Sequence, residues 1–413
     1  MVNSQVPFPE DWKRRTLSEL SDGGFQNGLF FEVDRKNKGV PIINVGDLYG
    51  DVPISNRMAL FDATLEEIKS FGVKSGDVFF TRSSIVPSGI AMCNVYLSEE
   101  EKPVVFDSHV IKYSANRKQV NPVYLALQCR MPFARNHLIG RAKTATMTTI
   151  DQKGIGSCPI YMPDVPEQDA IVDTLATFDA YIANLSELIE KKKAIRDGAL
   201  EDLMSGRTRL AGFTQKWIDT TINAVTQDVI TGGTPSTSHP EYWGGTIPWL
   251  ASTEIHQKML SRETTQITEL GLASSSAKIA PAESVLIALA GQGKTRGTAA
   301  YLLRPMALNQ SLAALVSSEK MIPKFLYYLM DRLYLPLREL SSGDGGRGGL
   351  NKKLLKGLSI YIPLDIEEQK AIADVLTAMD DEITALEDER NKMIQIREGA
   401  MDDLLTGRVR LPI

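Results

Sequence analysis

At 413 residues, 43% of them hydrophobic and 23% charged, the chain has the make-up of a globular protein of about two to four domains. No apolar run approaches the ~20 residues of a membrane-spanning helix, and the start, Met1 to Pro7, lacks the basic and apolar segments of a signal peptide. Cys93, Cys129 and Cys158 have no metal-ligand spacing and fit a reducing cytoplasm, while four scattered histidines (His109, His137, His239, His256) offer no metal site.

The net charge of −5 is unevenly spread. Residues 164–205 and 364–405 together sum to about −15, which leaves about +10 for the rest. The two remaining blocks are therefore mildly basic, as a surface facing phosphates needs to be.

The first block, residues 1–163, opens with Phe8 and Trp12 four apart. Within it Val78-Phe79-Phe80-Thr81 reads as a buried strand, with Arg82 and Ser83 directly after it. Asn121-Pro122-Val123-Tyr124 is similar to the Asn-Pro-Pro-Tyr signature of adenine methyltransferases, but the second proline and a Gly-rich cofactor loop are missing. A helix start explains the proline as well. Arg141-Ala142-Lys143-Thr144 is a loop of small residues and donors, and Pro159 to Met162 reads as a closing strand.

Residues 164–210 read as a long helix. Asp164 and Glu167 have capping-box spacing, Ser205-Gly206 supplies a stop, and Ile171, Leu175, Phe178, Ile182, Leu185 and Ile189 alternate at four and three. Forty residues at about 1.5 Å each give a rod of roughly 60 Å that needs a helical partner. That partner is residues 364–413. Asp365 and Glu368 open it, Ile372, Leu376, Met379, Ile383, Leu386 and Met393 line it, and Thr406-Gly407 ends it. Roughly 19 of 43 positions match between Gln168–Leu210 and Gln369–Leu411 without a gap, so the unit is duplicated.

Between the two helices, residues 211–363 echo the first block. Phe213 and Trp217 repeat its opening, Val285-Leu286-Ile287-Ala288 its strand, and Ser359 to Pro363 its close. Gly291 to Gly297, with Gln292, Lys294 and Arg296, is a glycine-rich donor loop, and Ala290-Gly291-Gln292-Gly293-Lys294-Thr295 within this region resembles the end of a phosphate-binding loop. Ala288 stands where that pattern needs glycine, and a turn and strand follow instead of a helix, which argues against nucleotide hydrolysis. Gly343 to Lys353, with Arg347, Lys352 and Lys353, is a second glycine-rich donor loop. Tyr242, Trp243, Asn309 and Gln310 are further candidates for contact with bases or sugars. No local Ser/His/Asp or Cys/His pattern nominates a catalytic residue. Leu210 to Phe213 joins helix to block, and the tail Leu411-Pro412-Ile413 with the head Val6-Pro7-Phe8 reads like the same linker cut open. The termini are therefore expected to be neighbours in a pseudo-two-fold chain.

The duplicated order, the Phe-x-x-x-Trp block starts, Gly232-Gly233-Thr234-Pro235 with Tyr242 to Trp249, and the Pro163/Glu167-Gln168 and Pro363/Glu368-Gln369 helix openings resemble the specificity (S) subunit of type I restriction–modification systems. The first block departs from that pattern, reading Gln26-Asn27-Gly28-Leu29-Phe30-Phe31 at its corresponding turn. The resemblance implies an α+β fold: two mixed α/β target-recognition domains, 1–163 and 211–363, and two spacer helices, 164–210 and 364–413, forming an antiparallel coiled coil. It implies a cytoplasmic, non-catalytic subunit without cofactor or metal that reads a bipartite double-stranded DNA target. The helices would set the gap and dock two modification (methyltransferase) subunits, and restriction subunits can join. The DNA-facing candidates are then Arg82, Ser83, Arg141, Lys143 and Thr144 in the first domain. In the second they are Tyr242, Trp243, Gln292, Lys294, Arg296, Asn309, Gln310, Arg347, Lys352 and Lys353. The alternative is a coiled-coil scaffold with protein-binding ends, which would show no salt-dependent affinity for DNA.

Overall fold

A computed structural model describes residues 8–30, 32–50, 53–55, 58–100, 102–291, 293–340 and 349–412, the side chain of Val33 excepted. The chain forms two compact units: residues 1–186 with 388–413, and residues 187–387. Both boundaries fall inside the long helices, Val165–Met204 and Ile366–Thr406, so each unit holds one globular block and a stretch of both helices.

The first unit is built on a four-stranded antiparallel sheet in the order Ser21–Asn27, Val110–Ala115, Asp77–Thr81, Cys93–Val95. A second sheet orders Ala59–Phe61, Lys36–Ile43 and Val105–Phe106, the last pair parallel. Asp77–Thr81 is buried along its whole length, as a central strand of Val and Phe requires. The second unit repeats both sheets with one strand added to each. Thr226–Thr231, Leu312–Ser317, Val285–Ala288 and Ala299–Leu302 form the first, extended by Met259–Leu260. Thr265–Ile267, Trp243–Leu250 and Met306–Leu308 form the other, extended by Lys278–Ala280. In each unit the opening strand pairs antiparallel with the strand that closes the block: Lys13–Thr16 with Pro159–Met162, and Trp217–Thr221 with Ser359–Pro363.

Within each unit the two helix segments run antiparallel. In the first, Arg397 makes a paired contact to Asp179 at 2.9 and 3.1 Å, and Tyr181 donates to Glu389. In the second, Arg196 reaches Asp380 at 2.8 Å, Lys192 reaches Glu382 at 2.6 Å and Lys193 reaches Glu387 at 2.8 Å. From Asp179 to Tyr181 the partner falls from Arg397 to Glu389, and from Lys193 to Arg196 it falls from Glu387 to Asp380. Of the heptad residues, Ile171 and Leu175 join the first unit's core and Ile372 and Leu376 the second's, while Leu185, Ile189 and Ile383 are buried outside both cores.

The helix openings correct a reading of the sequence. Asp164 and Asp365 cap as expected, accepting from Glu167 N and Glu367 N. Glu167 and Glu368 do not reach back to close a capping box. Each is buried and binds the arginine that follows the other helix, Arg410 and Arg209 respectively, the latter at 2.7 and 2.8 Å. The neighbouring glutamines are buried too. Gln168 accepts from Asn121 N and donates to Gln119 O and Pro163 O; Gln369 does the same with Ile322 N, Lys320 O and Pro363 O. The repeated Glu-Gln pair is thus a lock between helix start and block, and a buried glutamine is tolerated because its amide is bonded at both ends.

Both helices stop at a glycine with positive φ, Gly206 at 71° and Gly407 at 72°. A Cβ at Gly407 would sit 2.5 Å from Pro9 Cγ and 3.1 Å from the Trp12 ring, and one at Gly206 would meet Trp217 at 3.3 Å. Head and tail are therefore neighbours inside the first unit, with Arg410 also 3.1 Å from Asp11. Residues 1–7 and 413 lie outside the described residues. No helix among the described residues is long and apolar enough to cross a membrane.

Candidate nucleic-acid interface

In the first unit the chain after Asp77–Thr81 turns out of the sheet at Arg82. Its backbone N donates to His109 O, and its own carbonyl accepts from Ile150 N. These two bonds draw three loops, 82–90, 107–109 and 141–153, to one end of the sheet. Together with Asn27 and Phe30 they line an open cleft of about 990 Å³ whose walls include Arg82, Ser83, His109, Arg141, Lys143, Met147 and Lys153. Four of the five candidates in this unit thus share one cleft. Thr144, the fifth, sits beside Lys143 on the short strand Lys143–Thr144 and bonds Thr148 Oγ1 at 3.1 Å.

The cleft's acidic side chains are already committed. Asp107 Oδ1 accepts from His109 N at 2.7 Å, and Asp151 Oδ1 caps the helix Gln152–Gly156 through Gly154 N at 2.6 Å. Arg82 donates to Ser108 O, and Ser83 Oγ meets His109 Nδ1 at 2.6 Å. Behind Arg141, burial and then the nearby charges of Arg141 and Arg14 hold the His137 imidazole below its ordinary value, so it adds no charge at neutral pH. The 82–90 loop is pinned from behind by Arg135, which donates to Ser88 O, Ile90 O and Ala91 O. A loop held this way loses little freedom on binding.

The second unit brings the same places together with different residues. Leu289 N donates to Ser311 O and Leu289 O accepts from Leu350 N, so Leu289 stands where Arg82 stands. Asn309 Oδ1 accepts from Ser311 N at 3.0 Å, as Asp107 does in the first unit, and Asn351 caps its helix as Asp151 does. Gly232 presses on Leu308 O as Gly28 presses on Phe106 O and Asp107 O, with room for no Cβ in either case. The turn that departs from the family pattern in sequence is therefore the same crossing in space, and Phe30 corresponds to Thr234.

Around this frame lie Thr234, whose hydroxyl donates to Gln310 Oε1 at 2.6 Å, the exposed Lys352 and Lys353, and the loop carrying Lys294 and Arg296. That loop is braced by Arg338, which donates to Gly293 O at 2.6 Å, and by Tyr334, which donates to Lys294 O at 3.0 Å. Lys352 lies 3.7 Å from Asp228. Gln292 and Arg347 lie outside the described residues.

Three sequence candidates make contacts within the protein. Asn309 is 7% exposed and its carbonyl oxygen is spent on the turn. Trp243 packs edge-on against buried Trp249 at 5.3 Å and donates to Ser236 O; Trp249 donates to Gly233 O. Tyr242 is half-buried, with His239 stacked on it at 4.8 Å. Trp249 thereby ties the Gly-Gly-Thr-Pro turn, and Trp243 the chain just after it. Sequence reasoning missed Phe30, His109, Met147 and Lys153. Aligning Asp151-Gln152-Lys153 with Asn351-Lys352-Lys353 ahead of the closing strands would have found the last. Among the described residues no group of three or more His, Cys, Asp and Glu could hold a metal. The methyltransferase-like Asn121 is a helix cap, accepting from Val123 N at 2.8 Å.

The family profile described as Type I restriction modification DNA specificity domain matches residues 9–193 and again 216–395. The chain is similar to the putative type I restriction enzyme MjaX specificity subunit of Methanocaldococcus jannaschii, 23% identical over 98% of this chain and 95% of that one. Among solved structures it is similar to the type I restriction–modification S subunit from M. genitalium, at 15% identity and TM-score 0.59 over 98% of this chain and 97% of that one. It is also similar to the HsdS subunit from Thermoanaerobacter tengcongensis, at 17% identity and TM-score 0.52 over 99% and 100%. At these identities the solved structures show a shared fold.

Proposed function

This chain belongs to the type I restriction–modification DNA specificity family, and from that premise we propose how its two units divide the work. The family supplies DNA sequence specificity through two target-recognition domains and is itself non-catalytic. We propose that residues 1–163 and 211–363 each read one half of a bipartite duplex target. The spacer segments 164–210 and 364–413 fix the unread gap and dock two modification subunits, which restriction subunits can join in the cytoplasm.

One observation carries this reading. The contacts that hold helix to block repeat residue for residue, Glu167–Arg410 with Glu368–Arg209 and Gln168 with Gln369, while the residues around the equivalent loop clusters differ. A common frame with two unlike faces suits a target with two unlike halves. Arg82, Ser83, Arg141, Lys143 and Thr144 would face one half-site; Lys294, Arg296, Gln310, Lys352 and Lys353 would face the other.

Mapping methylated adenines in the source genome tests the proposal. A split motif with a constant gap is expected, and a continuous motif overturns it. For the assembled complex, Lys143→Ala is expected to weaken binding to all duplexes alike and to reduce the slope of log K against log salt by about 0.9, the share of one phosphate contact. Binding that ignores salt altogether would favour the scaffold reading.

A further inference from the structure

In the first unit's cleft one side chain is out of place for a surface that only neutralises phosphate. Phe30 is 83% exposed at the cleft wall, and Met147, in the same wall, is 39% exposed. An isolated exposed apolar residue needs no explanation, but two lining one cleft with Arg82, Arg141 and Lys143 put apolar surface among cations. Phe30 is also held in place. Leu29, its neighbour, is 2% exposed, donates its N–H to Phe106 O and bridges Asp107, and Gly28 lies too close to Asp107 O to shift. The chain thus presents the ring to solvent from a fixed anchor. The equivalent position in the second unit is Thr234, whose hydroxyl is bonded to the Gln310 amide.

The cations favour nucleic acid over an apolar protein surface as the occupant, and among base edges only thymine carries an apolar group, its C5-methyl in the major groove. Resting on the function proposed above, we propose that Phe30, in the cleft that Met147 also lines, reads a thymine in the first unit's half-site by packing on that methyl. The second unit, with Thr234 and Gln310 there, reads by hydrogen bonds instead.

The test uses the full chain assembled with its modification subunits, and duplexes of its methylation-mapped target. Each thymine of the half-site that changes on exchange of residues 8–162 is replaced in turn by deoxyuridine, which lacks only the methyl. One position is expected to bind about fourfold more weakly, the factor that burying one methyl is worth. Phe30→Ser should show a similar loss on the thymine duplex and no further loss on the deoxyuridine one. Indifference to deoxyuridine at every position overturns the proposal. So does a Phe30→Ser loss that persists equally on deoxyuridine, which marks an intercalating wedge, or a loss of subunit assembly, which marks a protein contact. Failure to find any split target sinks the underlying reading; a split target that ignores the methyl sinks this inference alone.

Discussion

Replacing residues 8–162 with the matching block of another specificity chain is expected to rewrite one half of the DNA target and leave the other half unchanged. The reason is that the two recognition surfaces rest on separate cores. Val78, Phe80, Ile111 and Tyr113 belong to the first unit's core, Val285, Ile287, Tyr301 and Leu315 to the second's. A substitution confined to one block leaves the other block's loops on an unaltered frame. Each mismatched base pair costs about 1–3 kcal/mol, so a wholly changed half-site of several pairs amounts to a preference shift on the order of a thousandfold. Sequencing of methylated sites in cells carrying the chimera gives the answer. A change in both halves, or in neither, refutes the division of labour.

The structure also says which donors will serve. The exchanged block must still meet the helices it grips. Gln128, fully buried, donates to Leu405 O at 2.6 Å and satisfies a carbonyl in the last turn of the second long helix. Asn121 offers its N–H to Gln168 and its side-chain amide to Asp169. A donor lacking these partners leaves buried polar groups unpaired, and a failed chimera of that kind would report on the seam, not on the readers.

The long helices were legible because their signal is local and periodic: Ile171 to Ile189 and Ile372 to Ile383 are buried or half-buried at the spacing the sequence shows. The central block strands Asp77–Thr81 and Val285–Ala288 were legible as short buried apolar runs, while most of the strands beside them were not read. The loop cluster was half legible. Arg82, Arg141 and Lys143 were nominated by residue type, but their meeting depends on Arg82 bonding His109 and Ile150, positions far apart in sequence. Asn309 has the chemistry of an adenine reader, yet a sheet-end turn consumes its carbonyl oxygen. Glu167 and Glu368 sit three residues after an Asp and mimic a capping box. Their real partners, Arg410 and Arg209, come from the far end of the other helix, which no local pattern can show.

Those two glutamates give the largest expected effect on stability. Glu368 is fully buried, receives both Arg209 Nε and Nη2, and accepts from the Trp217 indole at 3.3 Å. Arg209→Ala would strand a carboxylate with one neutral donor in place of a cation, a change that costs about 3–5 kcal/mol. Glu368→Gln should cost less, because the amide oxygen still takes the indole N–H and Arg209, a quarter exposed, can turn toward water. The matching change in the first unit, Arg410→Ala, should also cost less. Arg410 is 41% exposed and shares its charge with Asp11, so solvent already screens its bond to Glu167. Urea titrations of the three variants should therefore rank Arg209→Ala as the most destabilising. Equal losses for Arg209→Ala and Arg410→Ala would mean that exposure does not set the worth of the lock. If the lock is structural only, each variant that remains folded should keep its methylation motif, both halves and gap, while melting earlier.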